Sequence, residues 1–142
     1  MSNEPVMQIG EVAHRTELSL RSLRHWEEVG LLRPSGRSDG GFRLYTEADV
    51  DKILVIRRMK PLGFSLDQMR AVMADIEIIA DPSADTSARD AALTRLEATQ
   101  RDAADRREKL VRQLAMADEF IDLIGARLRS SPTAREDRPT AR

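Results

Sequence analysis

The sequence contains no cysteine, and aromatic residues make up only 4% of its 142 residues. Without thiolates the chain cannot ligate a soft metal through sulfur or hold an iron–sulfur cluster, and we expect no metal or other cofactor. It also has no apolar run of about 18 residues, the length that a membrane-spanning helix needs. The segment from Met1 to Gly10 lacks the basic and then apolar order of a signal peptide, which predicts a cytoplasmic protein.

Charge is almost balanced, with a formal net charge of -1. This average does not favour nucleic-acid binding, but phosphate binding depends on where the basic groups lie. With 41% hydrophobic and 33% charged residues, the chain can form one modest core and a long amphipathic element, but not a two-domain enzyme. Within one short stretch the sequence places four arginines, namely Arg21, Arg24, Arg37 and Arg43.

A short helix is predicted from Ser19, a good N-cap, to about Val29, because Gly30 then ends it. Its apolar side is formed by Leu20, Leu23 and Trp26, and its polar side by Arg21, Arg24, His25 and Glu28. A helix fits the major groove, and an arginine matches either a phosphate or the O6 and N7 edge of guanine. The alternative is that Arg24 pairs with Glu28 on a solvated face without a function.

A glycine-rich hairpin is predicted directly after this helix. Residues 34–41 are rich in turn formers and precede a short strand that begins at Phe42. Strand alternation predicts that Phe42 and Leu44 face one way, while Arg43 and Tyr45 project together from the other side. A guanidinium and a phenol both reach phosphate oxygens, so the hairpin is expected to contact a nucleic-acid backbone.

Upstream, Ile9, Val12 and Ala13 form a helical pattern that a tight turn separates from the helix at Ser19. Helix, turn, helix and hairpin predict a winged helix-turn-helix, within an all-α fold that carries a small β-hairpin wing. Five motifs follow one another in the order typical of one family: IGEVA at 9–13, LRHWE at 23–27, GLL at 30–32, GFRLY at 41–45 and GFSL at 63–66. On these motifs, residues 7–76 closely resemble the MerR family of bacterial transcription regulators.

The resemblance implies that the first helix after the turn is a recognition helix and that the hairpin is a DNA-contacting wing. Where the family usually has two aromatics in the recognition helix, this chain has His25 and Trp26. The family also has a second wing that touches the DNA backbone, here starting at Gly63, and Lys60 is its nearest basic residue. The residues that we predict to contact DNA are Ser19, Arg21, Ser22, Arg24, His25, Arg37, Arg43, Tyr45 and Lys60.

Two further helices complete the predicted DNA-binding domain at residues 7–76, which follows a flexible N-terminus at residues 1–6. Residues 46–49 resemble a capping box that opens a helix, and Pro61 should make the end of that helix irregular. Residues 65–68 form a second capping box. The helix that it opens carries a stripe predicted to be buried in the core: Leu66, Met69, Val72, Met73 and Ile76.

The remaining chain is predicted to contain a linker at residues 77–86, a long helix at residues 87–129 and a disordered tail at residues 130–142. Ser87 can cap the long helix, which would extend roughly 60 Å without a proline. Residues 87–129 should therefore form one continuous amphipathic rod.

Apolar residues in the rod recur at alternating spacings of three and four, a pattern that predicts a coiled coil between two copies of the chain. Gln100 and Arg107 fall on the same seam and would fix its register. The resemblance implies an antiparallel pairing of the two subunits. The predicted dimerisation residues are Leu93, Leu96, Ala103, Leu110, Leu114, Ala117, Ile121, Ile124 and Leu128.

These patterns predict a homodimeric, sequence-specific transcription regulator that binds a pseudopalindromic promoter element in double-stranded DNA. The resemblance implies that it acts with RNA polymerase by distorting the spacer between promoter elements. Two alternatives are a DNA-architectural or excisionase-like protein without promoter activation and a protein-only coiled-coil adaptor. An enzyme is not expected, because His14 and His25 have no partner carboxylate or nucleophile at a telling spacing. Any small-molecule effector would act near residues 69–79 and the long helix.

Overall fold

The computed structural model describes residues 5–131, so most of the predicted flexible N-terminus and of the predicted tail lies outside the described residues. In chain order the elements are β1 Met7–Gln8, α1 Ile9–Thr16, α2 Leu20–Glu28, β2 Gly36–Arg37, β3 Arg43–Tyr45, α3 Glu47–Met59, a 3-10 turn at Lys60–Leu62, α4 Leu66–Ala80 and α5 Thr86–Arg129. The predicted class, mostly helical with a small sheet and a long C-terminal helix, is confirmed.

The small sheet has three antiparallel strands in the order β1-β3-β2. Strand β3 is central, with Met7 opposite Tyr45 on one side and Gly36 opposite Leu44 on the other. The hairpin formed by β2 and β3 is the predicted wing. Strand β1 was not predicted from the sequence, and it changes which residues of β3 are exposed.

Helices α1 and α2 form the helix-turn-helix. Glu17 ends α1 in a left-handed conformation with φ 56°, and the Leu18 N–H donates to the Ala13 carbonyl. Ser19 then caps α2 as predicted, because its hydroxyl accepts from the Ser22 N–H at 3.0 Å. At the other end Arg70 donates to the Val29 carbonyl through Nε at 2.8 Å, so α4 helps to terminate α2.

One core holds the helices and the sheet together. Trp26 of α2 is buried in it, as predicted, whereas Leu20 is 40% exposed because it begins α2 beside an open surface depression. The core residues that are most completely buried are Val12, Thr16, Leu23, Tyr45, Ile53 and Ile56.

The wing strand does not follow the predicted alternation. Tyr45 is fully buried, because its pairing with Met7 of β1 places it in the core, so the prediction that its phenol projects toward DNA is wrong. Phe42 is 61% exposed, because it lies in the turn before β3 begins and is outside the strand's alternation. Arg43 and Leu44 are both half-buried.

Both predicted capping boxes are confirmed, at the starts of α3 and α4. In the first, the Thr46 N–H donates to Asp49 Oδ2 at 2.9 Å. The same carboxylate oxygen accepts from the Ser35 hydroxyl at 2.5 Å, which connects the base of the wing to the start of α3. Pro61 lies in the 3-10 turn after α3, and Gly63 ends that turn with φ 80°, as expected for an irregular end.

The segment predicted as a linker is partly helical. Helix α4 continues to Ala80, so its last turn occupies the first half of residues 77–86. Helix α5 begins at Thr86 and its first turn is capped by Asp85, whose carboxylate accepts from the Ala88 N–H at 2.6 Å. The prediction that Ser87 caps this helix is therefore wrong, since aspartate two residues earlier already fills the capping position.

The chain divides into two compact units, one up to Ala103 and the other from Ala104 onward. The first unit contains the start of α5, where Ala92 is fully buried and Leu96 and Ala103 pack against the core. Leu96 and Ala103 thus contact their own chain, which the heptad pattern alone did not indicate, and their contribution to a dimer stays a prediction.

Arg95 also joins α5 to α4 within this first unit. Its Nη2 lies 2.8 Å and its Nε 3.0 Å from Oδ1 of Asp75, which is buried. This contact raises the pKa of Arg95 above its ordinary value. The ion pair therefore fixes the first half of α5 to α4.

In the second unit, the helix exposes nearly every apolar side chain that it carries. The exposed large apolar residues are Leu110, Val111, Leu114, Met116, Phe120, Ile121, Leu123, Ile124 and Leu128. Among residues 5–131, no helix is long and apolar enough to cross a membrane.

Candidate nucleic-acid interface

The exposed side of α2 carries the basic residues that the sequence predicted there. Arg21, Arg24 and His25 are all exposed, while Leu23 and Trp26 on the opposite side are buried. Within residues 5–131 neither Arg21 nor Arg24 forms an ion pair, so the alternative pairing of Arg24 with Glu28 is not observed. Toward the part of the chain that the structure describes, both guanidinium groups therefore leave their charge available for a ligand.

Lys60 lies beside this side of α2. Its ammonium nitrogen is 5.8 Å from the centroid of the Trp26 ring, a distance at which a cation–π attraction acts. Lys60, which the resemblance assigned to a second wing, therefore lies next to α2. The surface depression between them is lined by Leu20, Arg21, Ser22, Arg24, His25, Trp26, Glu28 and Lys60.

Ser19 and Ser22 lie at the N-terminal end of the same surface. The Ser19 hydroxyl accepts from the Ser22 N–H and donates to the Ser22 hydroxyl at 3.0 Å, so its first role is to cap α2. Ser22 also borders the depression beside Lys60. The free N–H groups of a helix start attract phosphates, which adds to the positive character of this end.

The wing contributes two arginines to a second, smaller depression of about 190 Å³. Arg37 and Arg43 of the wing border it together with Arg24 of α2. Arg37 also donates to the Gly41 carbonyl at 3.1 Å, within the wing turn. Three of the predicted DNA-contacting residues are thus brought together from two separate elements. The other residues that line this smaller depression are Gln8, Ile9, Gly41 and Phe42.

Glu27, which the sequence analysis did not single out, joins α2 to the wing. Its Oε1 lies 2.6 Å from Arg43 Nε, and its Oε2 accepts from the Tyr45 hydroxyl at a long 3.4 Å. Burial, and then the charge of Glu27, raise the pKa of Tyr45 to about 12. The phenol consequently stays protonated to a higher pH than an exposed tyrosine, and it acts as an internal donor.

Phe42, like Tyr45, is a wing residue whose position was predicted wrongly from strand alternation. It is exposed on the wing beside Arg37 and Arg43. The sequence did contain a signal for this position, since Gly40 and Gly41 precede Phe42 and mark the turn in which it lies.

Among residues 5–131, no three histidine, cysteine, aspartate or glutamate side chains are grouped so that they could hold a metal ion.

A helix-turn-helix whose second helix exposes arginines beside a basic β-hairpin defines the class of winged helix-turn-helix proteins. The family model for the MerR HTH family regulatory protein matches residues 7–76. A curated relative from Yersinia pestis, the HTH-type transcriptional regulator CueR, is 33% identical over 113 residues, which cover 80% of each chain. The chain belongs to the MerR family of transcription regulators.

Other relatives agree with this assignment. The uncharacterised HTH-type transcriptional regulator PA4778 of Pseudomonas aeruginosa is 46% identical over 63 residues, which cover 44% of this chain and 48% of that protein. The chain thus spans about half the length of several curated relatives that it matches. The solved structure of a MerR family transcriptional regulator from Bacillus cereus has a TM-score of 0.57 at 25% identity and covers 96% of this chain and 88% of that chain.

Proposed function

We propose that this protein is a homodimeric, sequence-specific transcription regulator that acts on double-stranded DNA in the bacterial cytoplasm. The observation that carries the proposal is that Arg21 and Arg24 on α2 are exposed and form no ion pair with any residue that the structure describes, and that Arg24 lies next to the wing arginines Arg37 and Arg43. In this arrangement α2 enters the major groove and reads base edges, while the wing and Lys60 contact phosphates on either side.

Dimerisation is proposed through the second unit of the chain. Leu110, Leu114, Ile121, Ile124 and Leu128 lie on one side of the helix and are each at least 41% exposed. A single helix with such a stripe is not stable alone, so a second copy should cover it. Two DNA-binding heads joined in this way require a site with two half-sites related by a pseudo-twofold axis.

The proposed mechanism is a distortion of promoter DNA between the two half-sites. Membership of the MerR family supports a role in transcription together with RNA polymerase. We propose that the dimer bends or untwists a long spacer so that the two promoter elements become aligned. Such a deformation costs several kcal/mol, about 1–6 for a smooth bend, and contacts from α2 and both wings must offset it. A small-molecule effector, if the protein uses one, would act where α4 meets α5.

Two other functions are less well supported. An architectural or excisionase-like protein would use the same head, but its action requires no long dimerisation helix such as Thr86–Arg129. A protein-only adaptor would have no use for the cluster formed by Arg24, Arg37 and Arg43. The position of these cations beside a groove-sized helix favours DNA as the partner.

The test begins with selection of duplexes from a random library by the full-length protein, followed by fluorescence anisotropy on the selected duplex. We expect a sequence with two related half-sites and an affinity at least about 10³-fold above that for random duplex. In vitro transcription from a promoter carrying this sequence then measures regulation. Failure to select any sequence, with binding to all duplexes alike, would remove the proposal and leave the architectural alternative.

The distortion is tested separately on the same promoter. Shortening the spacer by about two base pairs aligns the promoter elements before the protein binds. A distorting activator should then lose its stimulation and repress, and permanganate should detect unstacked bases at the centre of the site on the original promoter. Unchanged activation on the shortened promoter would exclude the mechanism and leave a regulator that acts by occlusion or recruitment.

A further inference from the structure

Glu27 is an acidic residue within a surface that otherwise collects arginines. Its side chain is only 15% exposed, although it lies on α2 next to the exposed recognition face. Oε1 lies 2.6 Å from Nε of Arg43, and Oε2 is 3.4 Å from the hydroxyl of Tyr45. Both contacts are made to β3 of the wing, so one carboxylate connects the recognition helix to the wing.

The contact with Arg43 restrains a flexible side chain. An arginine loses about 2 kcal/mol of rotamer entropy when it is fixed, so one that is already restrained binds a phosphate at a smaller entropic loss. The carboxylate forms an ion pair at Nε, the inner nitrogen of the guanidinium, without an aligned hydrogen bond to it, and the side chain of Arg43 is still 38% exposed. The terminal nitrogens form the end that can reach a phosphate.

We propose that Glu27 is a positioning residue, which holds the Arg43 guanidinium at the orientation in which it meets the DNA backbone and so couples the wing to the recognition helix. The inference rests on the proposed DNA-binding function and adds to it a residue that acts through another. Tyr45 shares the carboxylate, but its 3.4 Å distance makes that hydrogen bond weak. Arg43 is therefore the partner through which Glu27 acts.

A positioning role for Glu27 predicts that Glu27→Gln changes DNA affinity in the direction opposite to the one expected from the loss of its negative charge alone. A carboxylate in a DNA-binding surface repels phosphates, so on charge alone Glu27→Gln should tighten binding to every duplex. A positioning role predicts weaker binding, because Arg43 loses its ionic partner and becomes mobile. Glu28 provides the matched control, since it is adjacent on α2, is exposed and forms no ion pair among residues 5–131.

The experiment compares the full-length wild type with Glu27→Gln, Glu28→Gln, Arg43→Ala and the double variant Glu27→Gln/Arg43→Ala. Affinity for the duplex selected by the wild type is measured by fluorescence anisotropy over a range of salt concentrations. We expect Glu27→Gln to bind about fivefold more weakly, and Glu28→Gln, which removes a carboxylate from the same surface, to bind more tightly than the wild type. Adding Glu27→Gln to Arg43→Ala should cause no further loss.

The salt dependence gives a readout that a change in folding would not produce. Arg43→Ala should lower the slope of log affinity against log salt by about one, as expected for a lost phosphate contact. Glu27→Gln should also lower this slope, although the substitution removes a negative charge. Thermal unfolding of each variant identifies any that is not folded, and Glu27→Asp, which keeps the charge but shortens the reach, then serves as a second variant.

The outcomes separate this inference from the proposed function. If the wild-type protein selects no sequence from the random library, the proposed function itself is refuted. A wild type that binds tightly while Glu27→Gln binds equally well or better would overturn the positioning role of Glu27 alone. A further loss in the double variant would also overturn it, because Glu27 would then act independently of Arg43.

Discussion

Placing charges on the exposed seam of the second unit should separate the protein into monomers. Leu114 and Ile121 are 62% and 65% exposed in the single chain. Full burial of a leucine or isoleucine contributes about 1.5–3 kcal/mol, so covering roughly three fifths of two residues in each of two protomers contributes about 4–7 kcal/mol. Since about 1.4 kcal/mol changes an equilibrium tenfold, Leu114→Glu with Ile121→Glu should raise the dimer dissociation constant by about three to five orders of magnitude.

Sedimentation equilibrium at micromolar concentration measures this change directly. Ala115→Glu is the matched control, because Ala115 is an exposed neighbour on the same helix but lies off the seam. We expect the wild type and Ala115→Glu to be dimers and the doubly charged variant to be a monomer with weak operator binding. A wild type that is monomeric at this concentration and still binds its duplex tightly would refute the reasoning, as would a doubly charged variant that remains a dimer.

Three further predictions concern the head. Arg24→Ala should weaken binding to the selected duplex by about 1–3 kcal/mol and relax specificity at one position in each half-site, which repeated selection with the variant measures; equal losses on every duplex would instead assign Arg24 to a phosphate. Tyr45→Phe should leave the salt slope of DNA binding unchanged, because the phenol is buried, and a slope lowered by about one would show that the hydroxyl reaches DNA. The pKa of Tyr45 is raised from 10.0 to about 12, so the unfolded chain loses this proton first as the pH rises. The free energy of unfolding should therefore fall by up to about 2 kcal/mol between pH 10 and pH 12. Urea unfolding at both pH values measures that loss, which should be absent in Tyr45→Phe; an equal loss in the variant would mean that other groups cause it.

Local signals in the sequence predicted the helices well. The Ser19 cap and the two capping boxes depend on residues within four positions of one another, and each is present in the structure. The two sides of α2 followed from helical spacing, apart from Leu20 at the first position. Most of the predicted DNA-contacting residues, but not the buried Tyr45, border two depressions beside α2, because the helix-turn-helix motifs fixed the order of the elements.

Features that depend on distant pairing were not predictable in the same way. Tyr45 is buried because β1 pairs with β3, and β1 contains only two residues, too few for a period-two pattern to be recognised. The contact between Glu27 and Arg43 depends on how the wing folds back against α2, which no spacing in the sequence encodes. The heptad pattern of α5 does not distinguish a helix partner in the same chain from one in a second copy, so it did not indicate that Leu96 and Ala103 pack partly against their own core.

The position of α4 between two other helices has a thermodynamic consequence. At its start Arg70 donates to the Val29 carbonyl at the end of the recognition helix, and farther along Asp75 holds Arg95 of α5. We therefore expect an operator that restrains α2 also to restrain α4 and the start of α5. Because such coupling is reciprocal, a ligand that binds more tightly when α5 is packed on α4 should then strengthen operator binding, and the operator should strengthen binding of that ligand by the same factor. Slower amide hydrogen exchange in α4 and the first half of α5 upon addition of DNA would be the measurable sign of this coupling.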